Sequence, residues 1–242
     1  MWRTAWRLIR GGFASLVEAA AAPPGVAPLD VRRPDDFPDP NRADLGDVVA
    51  FGGDLSVARL VAAYRRGIFP YYEKNPILWW SPDPRAIFEV TSFHVPRRLG
   101  RTIRSGRFRV SFDTAFAAVI RACADRAEGT WINADMIRAF ERMHAAGHAH
   151  SVEVWQGDQL VGGLYGVAAG ALFAGESMFS RVSDASKVAL VYLMNHLRQR
   201  GFQLFDIQML TDHTARLGAI EISRSDYLER LKRALACRAA FA

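Results

Sequence analysis

The stretch between residues 160 and 210 constrains the fold more than any other part of the chain. Residues 160–167 (LVGGLYGV) and 171–177 (ALFAGES) are short apolar runs separated by Ala168, Ala169 and Gly170. Runs of that length read as strands, and three residues ending in glycine suit a hairpin loop. Residues 181–200 have helical periodicity and are entered through Ser183 and Asp184, and a further strand follows at 204–210 (LFDIQML). Period-two alternation places Leu204, Asp206, Gln208 and Leu210 on one face of that strand and Phe205, Ile207 and Met209 on the other. The second face is core. The first carries an acid and an amide on a strand apolar enough to be central, and Glu176 puts another acid where the second run reaches the edge of its core. Burying a charge is costly unless it has a partner. The residues themselves leave open whether Asp206, Gln208 and Glu176 do chemistry or satisfy a buried hydrogen-bond network.

Half of the 242 residues are hydrophobic, enough to bury one large domain or two unequal ones. No apolar run approaches the roughly 20 residues of a membrane span, and residues 1–22 lack the long apolar centre of a secretory signal. Those residues read as a weakly helical tail, and stable membrane association is not expected. Two cysteines, Cys123 and Cys237, lie far apart, which suits a reducing compartment better than a disulfide scaffold or a zinc site. The formal charge of +6 favours a polyanionic partner.

Taken in order, residues 22–47 are rich in Pro and Asp and are expected to lack packed structure. A helix is predicted over 55–66, capped by Asp54 or Ser56 and stopped by Gly67. Residues 67–85 crowd Phe69, Tyr71, Tyr72, Trp79 and Trp80 into a loop broken by proline and glycine; such rings either pack a small domain or form a platform for a nucleobase. Residues 95–109 are arginine-rich and contain no acid. Arg97, Arg98, Arg101 and Arg104 fall on one side of a helix, either as a solvated face or as a positive stripe suited to phosphates. Residues 111–127 and 133–147 read as amphipathic helices, with Trp131 in the connector. A hairpin follows, with strands at 148–155 and 160–167. His144, His148 and His150 straddle a helix end and a strand start without metal-ligand spacing, so no metal site is expected. Short helices close the chain at 212–217 and 226–237. The order of two helices, a three-strand antiparallel meander, a long helix and another strand resembles the GNAT-like acyltransferases. SRVSDASK stands where that fold would carry its Gly-rich pyrophosphate loop, so no coenzyme A and no other cofactor is expected.

The segments FGGDLS (51–56), YRRGIFP (64–70), ILWWSPDPR (77–85), GTWI (129–132), AHSVEVW (149–155), LVGGLYGV (160–167), GESMFSR (175–181), DIQ (206–208) and DHTARLGA (212–219) resemble those of the leucyl/phenylalanyl-tRNA protein transferases. The resemblance implies an α+β fold: a flexible tail over 1–36, a small N-terminal domain over 37–84 and a GNAT-like aminoacyltransferase domain over 85–242. It implies transfer of Leu or Phe, or Met, from aminoacyl-tRNA to proteins beginning with Arg or Lys, creating an N-degron, by a cytoplasmic monomer. Asp206, Gln208 and Glu176 would be catalytic. Tyr64, Tyr71 and Trp131 would flank the adenosine, with Leu164, Phe173 and Met178 near the amino-acid side chain. Departures from the family pattern stand at Tyr71, commonly Trp, at Phe140, commonly Tyr, and at Thr211, usually Asn. Residues 1–30 are expected to be dispensable.

The chemistry implied agrees with these residue types. An aminoacyl ester is already activated, so the enzyme must align an amine, take its proton and stabilise an oxyanion. Gln208 would orient the amine, Asp206 would polarise Gln208 or take the proton through water, and Glu176 would pair with the donor's amino group or the acceptor's cation. Two alternatives stand beside this: a GNAT-like acyltransferase acting on a small molecule or peptidoglycan precursor, and a non-catalytic tRNA-binding module.

Overall fold

The computed structural model describes residues 26–42, 46–125 and 129–242; the reading of residues 1–22 lies outside them. Among the described residues two compact units emerge, one running up to Ile87 and joined by Gln208–Glu229 and one formed by Phe88–Ile207 with Arg230–Ala242.

In the first unit, β1 (Ala27–Leu29), β2 (Val48–Gly52), β3 (Phe69–Pro70) and β4 (Leu78–Trp80) form a sheet of order β1-β2-β4-β3. The strand β1 lies inside the stretch expected to lack packed structure. It pairs in parallel with β2, from Ala27 beside Ala50 to Leu29 beside Gly52, and buries Val26 and Leu29 at its ends. A proline in mid-strand is tolerated because β1 is an edge with one neighbour. The helix α1 (Val57–Tyr64) is capped by Ser56, whose hydroxyl accepts from Arg59 N, while Asp54 accepts from Ser56 N at 2.8 Å. Burial pushes the Asp54 carboxyl up, but the hydrogen bonds from Ser56 and the charge of the Arg59 guanidinium 3.4 Å away outweigh it and hold the carboxyl below its ordinary value. Gly67, at φ 71°, ends the helix as expected.

The aromatic loop is mostly core. Phe69, Tyr72, Trp79 and Trp80 are buried, and the two indoles donate to Gly52 O at 2.9 Å and Tyr71 O at 2.8 Å. Arg85 opens β5 (Arg85–Phe88) and is 1% exposed. Its guanidinium donates to Gly67 O at 3.0 Å and lies over the rings of Phe69 and Tyr227 at 5.0 and 4.3 Å, which offsets its desolvation.

The second unit contains α2 (Arg97–Arg104), β6 (Arg109–Phe112), α3 (Phe116–Ala124), α4 (Ala134–Ala145), β7 (Ala149–Gln156), β8 (Gln159–Ala169), β9 (Leu172–Ser180), α5 (Ala185–Gln199) and β10 (Leu204–Gln208), whose last residue falls in the first unit. The expected meander is present as β7-β8-β9, with β6 antiparallel to β7 and β10 parallel to β9. The helix predicted over 111–127 begins five residues later, because residues 109–112 pair with β7 and Asp113, at φ 57°, turns the chain out of the strand.

Cross-strand partners share a face. Val167, Ala174 and Asp206 therefore form one row, and Ala168, Phe173 and Phe205 the next row on the opposite face. The helix α5 covers the Phe173 face: a Cβ on Gly162 would fall 2.6 Å from Ala185 Cβ, so only glycine lets the helix approach. The helices α3 and α4 cover the Asp206 face, where Tyr165 meets Phe116 at 5.8 Å and Phe140 at 5.4 Å. The architecture is a mixed α+β one, as expected, with a small sheet and a larger sheet flanked by helices.

Candidate functional site

The ladder between β9 and β10 is short. Leu204, Phe205 and Asp206 pair with Leu172, Phe173 and Ala174, and β9 continues six residues beyond this last rung. Within that continuation β9 carries a bulge. Gly166 pairs with Gly175 and Tyr165 with Ser177, so Glu176 is the extra residue. Bulges bend a strand and re-aim one side chain. Glu176 does not end its strand, as the apolar run suggested; the strand runs four residues further, and Glu176 is 2% exposed. Asp206 is 1% exposed at the last rung. Two buried carboxylates thus stand where a parallel strand pair stops being held together.

Gln208, also buried, ends β10 at φ 67°. Strict alternation requires extended backbone, so the shared face assigned to Asp206 and Gln208 stops short of Gln208, and its side chain is aimed by the strand end. Leu164 and Met178 are cross-strand partners, and alternation along β8 puts them on the Phe173 face with Gly166. The structure therefore brings Leu164, Phe173 and Met178 onto one apolar face and sets Asp206 on the other. Phe205 belongs with the first group: its ring meets Phe173 at 5.6 Å. Its place on β10 beside Asp206 signalled core, and only the strand register reveals which core.

Of the residues expected beside the adenosine, Tyr64 and Tyr71 lie in the first unit and Trp131 in the second. Tyr64 is buried in α1, whereas Tyr71 is half-exposed and meets Trp80 edge-on at 6.2 Å. Trp131 is half-exposed in a tight connector, where Asn133 N donates to Trp131 O at 2.9 Å while Asn133 Oδ1 caps α4 through Met136 N at 3.0 Å. Phe140 is fully buried against Tyr165, so the missing hydroxyl leaves an apolar contact. Thr211 caps α6 (Asp212–Ala215) reciprocally with Thr214, at 3.1 and 3.0 Å, the work an Asn cap would do.

The arginine stripe is a helix. Arg97, Arg98, Arg101 and Arg104 are all exposed on α2 around the single buried Leu99, and no acid among the described residues pairs with them. One buried carboxylate escaped notice in the sequence. Glu153 is fully buried on β7, and its oxygens accept from Ser111 at 2.6 Å, Thr114 at 2.9 Å and Ser151 at 2.5 Å, which ties β6 and the entry to α3 onto β7. Its neighbours make it structural. Of the three histidines, His144 stacks on Phe116 at 4.4 Å and His150 binds Asp113 at 2.7 Å.

The family model described as leucyl/phenylalanyl-tRNA protein transferase matches residues 87–232, and that of the N-terminal domain of the same enzymes matches residues 53–83. The chain is 57% identical over 203 residues to the leucyl/phenylalanyl-tRNA--protein transferase of Solidesulfovibrio magneticus, covering 82% of each chain. It is 55% identical over 210 residues to that of Oleidesulfovibrio alaskensis, covering 83% of this chain and 85% of the relative. To that of Escherichia coli O81 it is 52% identical over 199 residues, covering 81% and 85%. Matches of this extent, over both units and through every segment that carries the site, show that the chain belongs to the leucyl/phenylalanyl-tRNA protein transferase family.

Proposed function

We propose that this chain is a cytoplasmic, monomeric enzyme that moves Leu or Phe from aminoacyl-tRNA to the α-amino group of proteins beginning with Arg or Lys, marking them for proteolysis. The observation that carries the reading is the pair of buried carboxylates, Glu176 in its bulge and Asp206 at the last β9–β10 rung, on strands whose face opposite Asp206 bears Leu164, Phe173 and Met178. The short parallel ladder between β9 and β10 also supports the GNAT-like reading of the fold.

The acceptor's amine nitrogen attacks the ester carbonyl carbon, the C–O bond to the ribose breaks, the amine gives up a proton and the ribose oxygen gains one. No covalent enzyme intermediate is needed because the ester is already activated. Asp206 accepts the amine's proton directly or through water. Gln208 is too weak a base for that task and orients the amine as a hydrogen-bond acceptor. Glu176 holds a cation, either the donor's ammonium or the acceptor's basic side chain. The apolar face selects Leu and Phe by size, and the exposed α2 arginines meet tRNA phosphates.

The test is transfer of radiolabelled Leu or Phe from tRNA to a protein beginning with Arg, compared with the same protein beginning with Ala. Label must enter the first and not the second. Binding of tRNA without incorporation would reduce the chain to a tRNA-binding module.

A further inference from the structure

Phe241 is 4% exposed and enclosed by rings of its own unit. It stacks on His150 with centroids 4.3 Å apart, on Phe173 at 5.4 Å and against His196 at 4.6 Å, with Phe112 and Phe202 at 6.1 and 6.3 Å. Its carbonyl accepts from His196 Nε2 at 2.6 Å, and Asp113 fixes the His150 ring at 2.7 Å. The ring at 241 is therefore held in place from several sides.

Phe173 lies between this ring and the sheet. It is fully buried, and a Cβ on Gly166 would fall 2.6 Å from its ring, so the strand backbone bounds it on the other side. On the same face, one alternation along β8 from Gly166, stands Leu164 with its partner Met178. The rings at 241 and 173 and the Leu164–Met178 pair form successive layers.

We infer that Phe241 is a specificity-determining positioning residue: by backing Phe173 it sets the depth of the apolar surface that receives the donor's side chain. This rests on the transfer reaction proposed above. Removing the ring at 241 leaves a void that Phe173 enters, and a receding Phe173 leaves more room for the benzyl group of Phe than the isobutyl group of Leu requires. A larger ring at 241 presses Phe173 forward and does the reverse.

The test is kcat/KM for Leu-tRNA and for Phe-tRNA, with melting temperatures, in wild type, Phe241→Ala, Phe241→Leu and Phe241→Trp. Phe241→Ala should raise the Phe-to-Leu ratio by about fivefold, below the effect of a direct pocket contact. Phe241→Leu should raise it less, and Phe241→Trp should lower it. A merely structural ring predicts equal losses with both donors. An unchanged ratio in the variants, or a shift of the same sign in Phe241→Ala and Phe241→Trp, overturns the inference while leaving the transfer reaction standing. If Phe241→Ala does not fold, the Leu and Trp variants carry the comparison. Wild type that transfers neither residue would overturn the reaction and the inference together.

Discussion

Asp206 lies beside Ala174 at the last rung of the β9–β10 ladder, two residues short of Glu176 along β9. This adjacency motivates the first prediction. Asp206→Asn keeps the shape and removes the charge, so single-turnover transfer should fall by about 10²-fold while aminoacyl-tRNA affinity changes little. If Asp206 acts through Gln208, the double variant Asp206→Asn/Gln208→Ala should lose no more than the worse single one. Rate losses that track the melting temperature would instead assign these residues to the core.

Arg97 and Arg101 stand one helical turn apart on the exposed face of α2. Replacing both by Ala should weaken tRNA binding similarly for different tRNA sequences. The slope of log affinity against log salt should flatten by about 1.5, the share of two phosphate contacts. An unchanged slope removes α2 from the interface.

The N-terminal stretch gives a prediction opposite to that drawn from composition. Deleting residues 1–30 removes β1 and the Asp30 carbonyl, which accepts from Arg59 Nη2 at 2.5 Å. The deletion should lower stability by about 2 kcal/mol, the scale of a lost buried partner, measured by denaturant titration. A truncated protein as stable as the full chain would show that the first unit does not need that strand.

His196 provides a pH test. Burial pushes its imidazole pKa down, assisted by Arg200 and His150 and opposed by the Phe241 carbonyl and Asp113. Its folded pKa therefore lies below that of the unfolded chain, which binds the proton first as pH falls. The contribution of His196 to stability is complete above about 6.5, the ordinary imidazole value, and declines as pH falls from there to the folded pKa. His196→Gln keeps a donor for the Phe241 carbonyl and removes the titration. The difference in melting temperature between pH 7.5 and 5.5 should be smaller in that variant than in wild type.

Much of this was legible in the sequence because it follows from local rules. The meander β7-β8-β9 announced itself by alternation and turn residues, α1 by Ser56 and Gly67, and the mixed fold by element order. What escaped depends on partners distant in the chain. Ala27–Leu29 is too short and too proline-rich to read as a strand until Val48–Gly52 is beside it. Residues 109–112 become a strand through pairing with β7, not through their own pattern. Glu153 became identifiable as a structural acid only once Ser111, Thr114 and Ser151 were in place around it. In the candidate site, the acids at 176 and 206 were visible as polar intrusions on apolar strands. The face each apolar neighbour occupies was not, because a bulge is invisible to counting.

That bulge acts as a phase shift in the strand. Up to Gly175, odd-numbered residues of β9 point toward α5; after the extra residue, even-numbered ones do, so Met178 joins Leu164 and Ser180 reaches Ser186 N at 3.2 Å. Uninterrupted counting would have put Met178 beside Asp206 and Ala174. Absorbing Glu176 into the regular ladder would turn the outer end of β9 inside out, exchanging Met178 and Ser180 for Ser177 and Phe179 on the face toward α5, whereas losing residue 176 would remove the carboxylate and leave Ser177 opposite Tyr165 and Met178 opposite Leu164. The acid is thus the one residue that β9 holds outside its own count.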